Sequence, residues 1–148
     1  MKTFILIIFS FILVGCPENT EVEFTSISKG NLYGAGEEGF GKENIIISSR
    51  EDWKSFLLKI DKVNKTSETF EREIDFSKEK IIVAIDKVRN TGGFSIEIES
   101  AIQAGKDIIF KVRTLGPKPT DMVTTAIMQP YHIVKIKATR KNIKFLEL

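Results

Sequence analysis

Residues 81–85, Ile-Ile-Val-Ala-Ile, decide the fold class of this chain. Successive side chains of a strand point to opposite faces, so an unbroken apolar run of this length needs cover on both faces. Such strands lie in the middle of a sheet that is packed on both sides. We therefore expect residues 81–85 to be the central strand of the domain.

Other segments of the chain have the patterns of shorter strands. Phe94, Ile96 and Ile98 alternate with polar residues, and the turn sequence Ala-Gly-Lys at residues 104–106 separates them from a second alternating run, residues 108–113. Two alternating runs around a glycine turn predict an antiparallel hairpin. Four more segments complete a set of seven predicted strands: residues 22–27, 45–47, 131–138 and 143–146.

One segment has the pattern of an amphipathic helix. Apolar residues recur at i, i+3, i+4 and i+7 from Trp53 to Ile60, which predicts a helix over residues 50–62 with Ser49 as its N-cap. Residues 29–42 contain five glycines and are predicted to be a loop, as are residues 64–73. The sequence thus predicts a β-dominated α+β domain, a mostly antiparallel sandwich or half-barrel with one helix packed on it.

The first sixteen residues have the features of a bacterial lipoprotein signal. Lys2 precedes an apolar run, residues 4–14, that is too short to span a bilayer and typical of a signal peptide. The ending Leu-Val-Gly-Cys at residues 13–16 resembles the lipobox, in which the cysteine thiol receives a diacylglyceryl group. We expect a signal peptide at residues 1–15, lipid attachment at Cys16, a tether at residues 16–23 and a single domain at residues 24–148.

Composition excludes several classes of function. The 148 residues have a formal net charge of +2, which argues against a nucleic-acid-binding protein. The chain has one cysteine, which the lipobox uses, and one histidine, His132, with no metal-ligand spacing around it. No nucleophile motif accompanies His132. We therefore expect no enzyme activity, no cofactor and no metal site, and we expect His132 to be a hydrogen-bonded strand residue.

Three stretches together resemble the C-terminal domain of the PrcB family. They are Ile-Asp-Phe-Ser-Lys at residues 74–78 with the apolar run after it, Asn-Thr-Gly-Gly-Phe-Ser-Ile-Glu-Ile at residues 90–98, and Pro-Lys-Pro at residues 117–119 followed by Met-Val-Thr at 122–124 and Gln-Pro-Tyr-His-Ile-Val-Lys-Ile at 129–136. The resemblance covers about residues 45–146.

The resemblance implies a lipid-anchored accessory protein of the cell envelope, held at the outer membrane or at the outer face of the cytoplasmic membrane. It implies a protein partner, with a secreted protease as the candidate, and a role in stabilising that partner. The glycine turn and the proline strand boundary in the shared motifs have two interpretations: a rim that contacts a partner, or a turn and a strand start whose aromatic rings are buried in the core. The predicted partner-binding residues are Thr91, Gly92, Gly93, Phe94, Pro130, Tyr131 and His132.

Two other functions remain open at this stage. One is a ligand-binding or scaffold lipoprotein with no link to a protease, which a deep apolar pocket would favour. The other is a protease inhibitor that acts through its loops. Residues 90–94 and 129–131 are similar to the Asn-Pro-Thr-Thr-Gly-Tyr and Arg-Pro-Trp loops of chagasin-like inhibitors, although the first proline and the Arg-Pro-Trp sequence are missing.

Overall fold

The computed structural model of this protein describes residues 19–70 and 73–148. In this part of the chain there are eight strands, one α-helix and one 3₁₀ turn, Thr66–Thr69. The strands are β1 (Thr20–Glu21), β2 (Thr25–Leu32), β3 (Glu43–Ile47), β4 (Glu79–Ile85), β5 (Ser95–Ala104), β6 (Asp107–Leu115), β7 (Gln129–Lys137) and β8 (Asn142–Glu147), and the helix is α1 (Arg50–Ile60).

The strands form two four-stranded sheets. The inner sheet has the order β2-β7-β4-β3, and the outer sheet has the order β1-β5-β6-β8. All pairs are antiparallel except β6 with β8, which is parallel. The predicted β-dominated α+β class with a mostly antiparallel arrangement is confirmed, and the two stacked sheets make it a sandwich.

Strand β4 is the centre of the domain, as its apolar run predicts. Its last five residues, 81–85, are at most 1% exposed. The odd-numbered side chains, such as Ile81 and Val83, join an apolar cluster with α1. The even-numbered Ile82 and Ala84 join a second cluster that fills the space between the sheets. The inner sheet is therefore covered by the helix on one face and by the outer sheet on the other.

Helix α1 covers the inner sheet with the residues that its periodicity selects. Trp53, Phe56 and Ile60 are buried, and the Trp53 and Phe56 rings stack with centroids 5.6 Å apart. The helix begins after Ser49, whose hydroxyl oxygen accepts a hydrogen bond from the Asp52 backbone N–H at 3.1 Å. The predicted N-cap is thus confirmed, and the helix ends at Ile60, two residues earlier than predicted.

Replacing Ser49 by alanine should test this cap. The variant loses the acceptor for the Asp52 N–H, so the free energy of unfolding should fall by about 1 kcal/mol, the usual cost of removing a serine N-cap. Urea denaturation measures it. The exposed Ser48→Ala variant is the control, and an equal loss in both variants would contradict the capping role.

The structure corrects three boundaries in the N-terminal third. Residues 20 and 21, predicted as part of the tether, pair with β5 as strand β1. The sequence did not predict this strand because two residues are too few to show an alternating pattern. The strand predicted to end at residue 27 continues to Leu32, because β2 pairs with β7 as far as Leu32 opposite Gln129. It passes through Gly30, where a Cβ would lie 3.2 Å from the Tyr131 hydroxyl. The glycine-rich loop therefore begins at Tyr33. With β1 counted, the described chain has eight strands rather than seven.

The predicted signal peptide and Cys16 lie outside the described residues. Among the residues that are described, no helix has both the length and the apolar character needed to cross a membrane.

Candidate partner-binding surface

Three connections meet at one end of the sandwich, which we call the loop end. They are residues 33–42 between β2 and β3, residues 86–94 between β4 and β5, and residues 116–128 between β6 and β7. The middle connection joins the inner sheet to the outer sheet, so all three lie at the same edge of both layers. Candidate binding side chains come from these loops, and the strands fix where each loop starts and ends.

The side chain of Gln129 ties two of these loops to the inner sheet. Its Nε2 donates to the carbonyl oxygens of Phe40 at 3.0 Å and Asp86 at 2.9 Å, and Gln129 is 1% exposed. The two carbonyls belong to the glycine-rich loop and to the 86–94 loop. Since buried carbonyl oxygens need donors, Gln129 stabilises both loops at once.

An ion pair holds the start of the 86–94 loop. The Arg89 guanidinium donates to Oδ2 of the buried Asp86, from Nε at 2.7 Å and from Nη2 at 2.6 Å. The Arg89 backbone also exchanges two hydrogen bonds with Met128. The ion pair therefore fixes the 86–94 loop internally, and the backbone bonds join that loop to the 116–128 loop.

The predicted glycine turn fits closely against the 116–128 loop. The Gly92 N–H donates to the Thr124 carbonyl at 2.9 Å, and a Cβ at Gly92 would lie 2.3 Å from the Thr124 hydroxyl. Gly93 has a φ of +86°, which favours glycine. Phe94 follows, half-buried, with the Arg89 guanidinium 4.3 Å from its ring centroid. The turn therefore holds the Phe94 ring at the surface beside Arg89.

The predicted site residues divide into two groups. Thr91, Gly93 and Phe94 reach the surface of the loop end, with Gly92 buried beneath them. The second group is buried inside β7, where its side chains contact the protein's own core; its members are Pro130, Tyr131 and His132. Within the predicted set of partner-binding residues, only residues 91–94 therefore remain candidates for contact with a partner.

Tyr131 and His132 make structural contacts on opposite faces of β7. The Tyr131 hydroxyl is 3.0 Å from the Ser28 hydroxyl, and its ring packs against Phe70 with centroids 6.2 Å apart. Burial raises the pKa of Tyr131 above its usual value. Tyr131 thus fixes β2 against β7 and packs on the 3₁₀ segment that follows α1.

His132 joins the two sheets. Its Nδ1 accepts the backbone N–H of Ile98 in β5 at 2.9 Å, and its Nε2 lies 3.1 Å from the Ser26 hydroxyl in β2. Because Nδ1 is an acceptor, the neutral ring carries its proton on Nε2. Burial and the neighbouring Lys29 charge lower the pKa of His132 to about 4, with Glu97 acting in the opposite direction. The prediction of a hydrogen-bonded strand histidine is confirmed.

Sequence reasoning missed the exposed apolar side chains next to this turn. Met122 is fully exposed, and three neighbours in the chain are 41–48% exposed: Leu115, Val123 and Ile127. The signal was present, because Met122, Val123 and Ile127 stand in a segment with neither helical nor strand periodicity. Apolar residues without such periodicity have no predicted core face. We call these four residues the apolar loop.

The region that contains this surface also resembles a known family. Residues 80–137 match the family model described as PrcB C-terminal. The match covers less than half of the chain and extends from β4 to β7, so it includes the 86–94 and 116–128 loops but not the glycine-rich loop. No curated protein and no solved structure matches the chain. The predicted resemblance to the PrcB family is confirmed over these residues.

The described part of the chain has cavities but no cluster of metal ligands. Among residues 19–70 and 73–148, no three histidine, cysteine or acidic side chains are grouped to hold a metal ion. A cavity of about 510 Å³ opens elsewhere, on the outer side of β1 and β2, and three of its six lining residues are glutamates. Pockets for drug-sized ligands are mainly apolar, so this cavity lacks their character. A second cavity of about 390 Å³ between β3 and α1 has a mainly apolar lining that includes Phe40, Ile45 and Phe56.

Proposed function

We propose that this protein is a lipid-anchored accessory protein of the cell envelope that binds and stabilises another envelope protein. A secreted protease is the candidate partner, because the PrcB resemblance implies a protease complex. The apolar loop is the observation that carries the proposal. Three of its side chains lie on the 116–128 connection and Leu115 ends β6 just before it; the backbone of this connection is paired to the 86–94 loop, and both loops lie inside the region that matches the family.

Exposing this apolar surface to water is unfavourable in free energy, and burial against a partner would remove that penalty. Burying an apolar side chain such as methionine or isoleucine contributes about 1.5–3 kcal/mol. Contiguous exposed apolar residues on a soluble domain mark contact sites. Arg89 and the Phe94 ring lie next to the apolar loop, and arginine and aromatic residues are enriched at the centre of interfaces. The loop end therefore has the composition of a protein-binding surface.

Capture of a partner from envelope extracts tests the proposal. The domain carrying Met122→Ser, Val123→Ser and Ile127→Ser should lose most of the capture that the unchanged domain shows. The three changes remove exposed apolar area and leave the free energy of unfolding within about 0.5 kcal/mol, as is usual for surface substitutions.

The matched control removes exposed apolar side chains from another face. Ile46, Leu58 and Val63 are also exposed, and they lie on β3, on α1 and just after it. Ile46→Ser, Leu58→Ser and Val63→Ser together should retain capture. Equal capture by the loop variant and the unchanged domain would contradict the proposal.

The lipid anchor has its own test. Cys16→Ser removes the thiol that receives the diacylglyceryl group, so the protein should move from the membrane fraction to the soluble fraction or remain as an uncleaved precursor. Fractionation and mass measurement of the mature chain show this. Unchanged fractionation with cleavage before residue 16 would contradict lipidation at Cys16.

A further inference from the structure

A group of cations lies at the end of the sandwich opposite the loop end. Two connections meet there: the β5–β6 turn at Gly105 and Lys106, and residues 138–141 between β7 and β8. The Asn142 N–H donates to the Lys106 carbonyl at 3.0 Å, and Lys141 Nζ donates to the Gly105 carbonyl at 2.9 Å. We call the cations on and beside these connections the basic patch: Lys106, Lys137, Arg140, Lys141 and Lys144.

The basic patch has an excess of positive charge. Lys144 pairs with Asp107. The other four cations have no ion pair with a carboxylate in the part of the chain that the structure describes, in contrast to Lys78 and Arg113, which pair with Asp75 and Glu99. Glu79 lies opposite Lys137 in the β4–β7 register, but its carboxylate pairs with Lys135. Glu21 and Glu23, near the start of the domain, line a cavity with Glu99. The patch therefore remains net positive.

The chain enters the domain at this same end. In strand β1, Thr20 pairs with Gln103 and Glu21 with Ile102, so β1 runs away from the β5–β6 turn. Strand β1 therefore begins at its end nearest the turn, where Asn19, the first described residue, leads into it. Cys16 is four residues before Thr20, and four fully extended residues span at most about 14 Å. An anchor at Cys16 would hold the basic patch close to the lipid surface.

We infer that the basic patch binds anionic lipid headgroups and orients the domain on the membrane; this rests on the lipid anchor of the proposed function. Each lysine or arginine near an anionic bilayer strengthens binding about fivefold. The attraction acts within about 10 Å of the surface at moderate salt. The short tether allows the basic patch to come this close to the headgroups. With the basic patch against the headgroups, the loop end points away from the membrane and is accessible to a partner.

The experiment uses the sole cysteine of the chain. The chain starting at Cys16 keeps both apolar clusters, so it is expected to fold. Its Cys16 thiol is coupled to a maleimide lipid in vesicles of phosphatidylcholine alone or with phosphatidylglycerol. Acylation rates of individual lysines are then read by mass spectrometry. Lys106 and Lys137 should react several-fold more slowly on the anionic vesicles, whereas Lys62, after the far end of α1, and Lys118, at the loop end, should react equally on both.

A second measurement uses the uncoupled chain at low salt. Lys106→Glu, Lys137→Glu and Arg140→Glu together should weaken sedimentation with phosphatidylglycerol vesicles by at least about tenfold. Lys54→Glu, Lys62→Glu and Lys118→Glu make the same change in net charge on other faces and should have a much smaller effect. Equal labelling of Lys106 on both vesicles, or equal loss in the two triple variants, would overturn the inference. Coupling supplies the anchor, so this result is independent of whether Cys16 is lipidated in the cell.

Discussion

The free energy of unfolding of the Gln129→Met variant is expected to be about 3 kcal/mol lower than that of the unchanged protein. Methionine fills a similar volume but has no donor for the carbonyl oxygens of Phe40 and Asp86, which are bonded to Gln129 Nε2 in a buried site. A buried polar group without its partner costs about 1–3 kcal/mol. The Gln129 Oε1 has no hydrogen-bond partner among the described atoms, so its removal offsets part of the loss.

Thermal and urea denaturation measure this effect, and the melting temperature should fall by about 10 °C. The control is Gln103→Met, at the only other glutamine, which lies half-buried on β5. It should change the free energy of unfolding by less than about 0.5 kcal/mol. If Gln129→Met and Gln103→Met have equal stability, Gln129 does not hold the loop end together.

Stability should also fall as the pH is lowered from about 6.5 to about 4, because of His132. The pKa of His132 is about 4 in the folded protein, below the ordinary value of 6.5. The unfolded chain therefore takes up a proton first as pH falls, so the contribution of the neutral ring is complete above pH 6.5 and is lost toward pH 4. This lowering of the His132 pKa corresponds to a loss of at most about 3 kcal/mol in the free energy of unfolding.

The His132→Asn variant isolates this contribution. Its Oδ1 can accept the Ile98 N–H in place of Nδ1, but asparagine does not titrate. Between pH 6.5 and pH 4.5 its free energy of unfolding should change less than that of the unchanged protein. The imidazole nitrogen resonances of the single histidine should show a proton on Nε2 and none on Nδ1 at pH 7. A titration midpoint near 6.5 in the folded protein would contradict the account of His132.

Local patterns in the sequence predict the elements of this fold well. The apolar run at residues 81–85, the spacing of Trp53, Phe56 and Ile60, and the glycine turn at Gly105 each indicate one element, and the structure has all three. These signals work because each depends on neighbours within a few residues. Pairing between distant strands has no such signal, and the parallel pairing of β6 with β8 was not predicted.

The candidate site was only partly predictable, for a related reason. Gln129 contacts carbonyls that are 89 and 43 residues away in sequence, and nothing near Gln129 indicates either contact. His132 lies on the same face of β7 as Val134 and Ile136, and the Ile98 N–H that donates to its ring is 34 residues away in sequence. The apolar loop lacks periodicity, and only the fold shows that Met122 is exposed.

The most direct test of partner binding at the loop end is site-specific photo-crosslinking in cells. A photoreactive amino acid replaces Met122 in one strain and Leu58, another exposed apolar residue, on α1, in another. Illumination should give a discrete crosslinked product with an envelope protein at position 122 and none at position 58. The absence of a product at position 122, or the same product from both positions, would contradict the account.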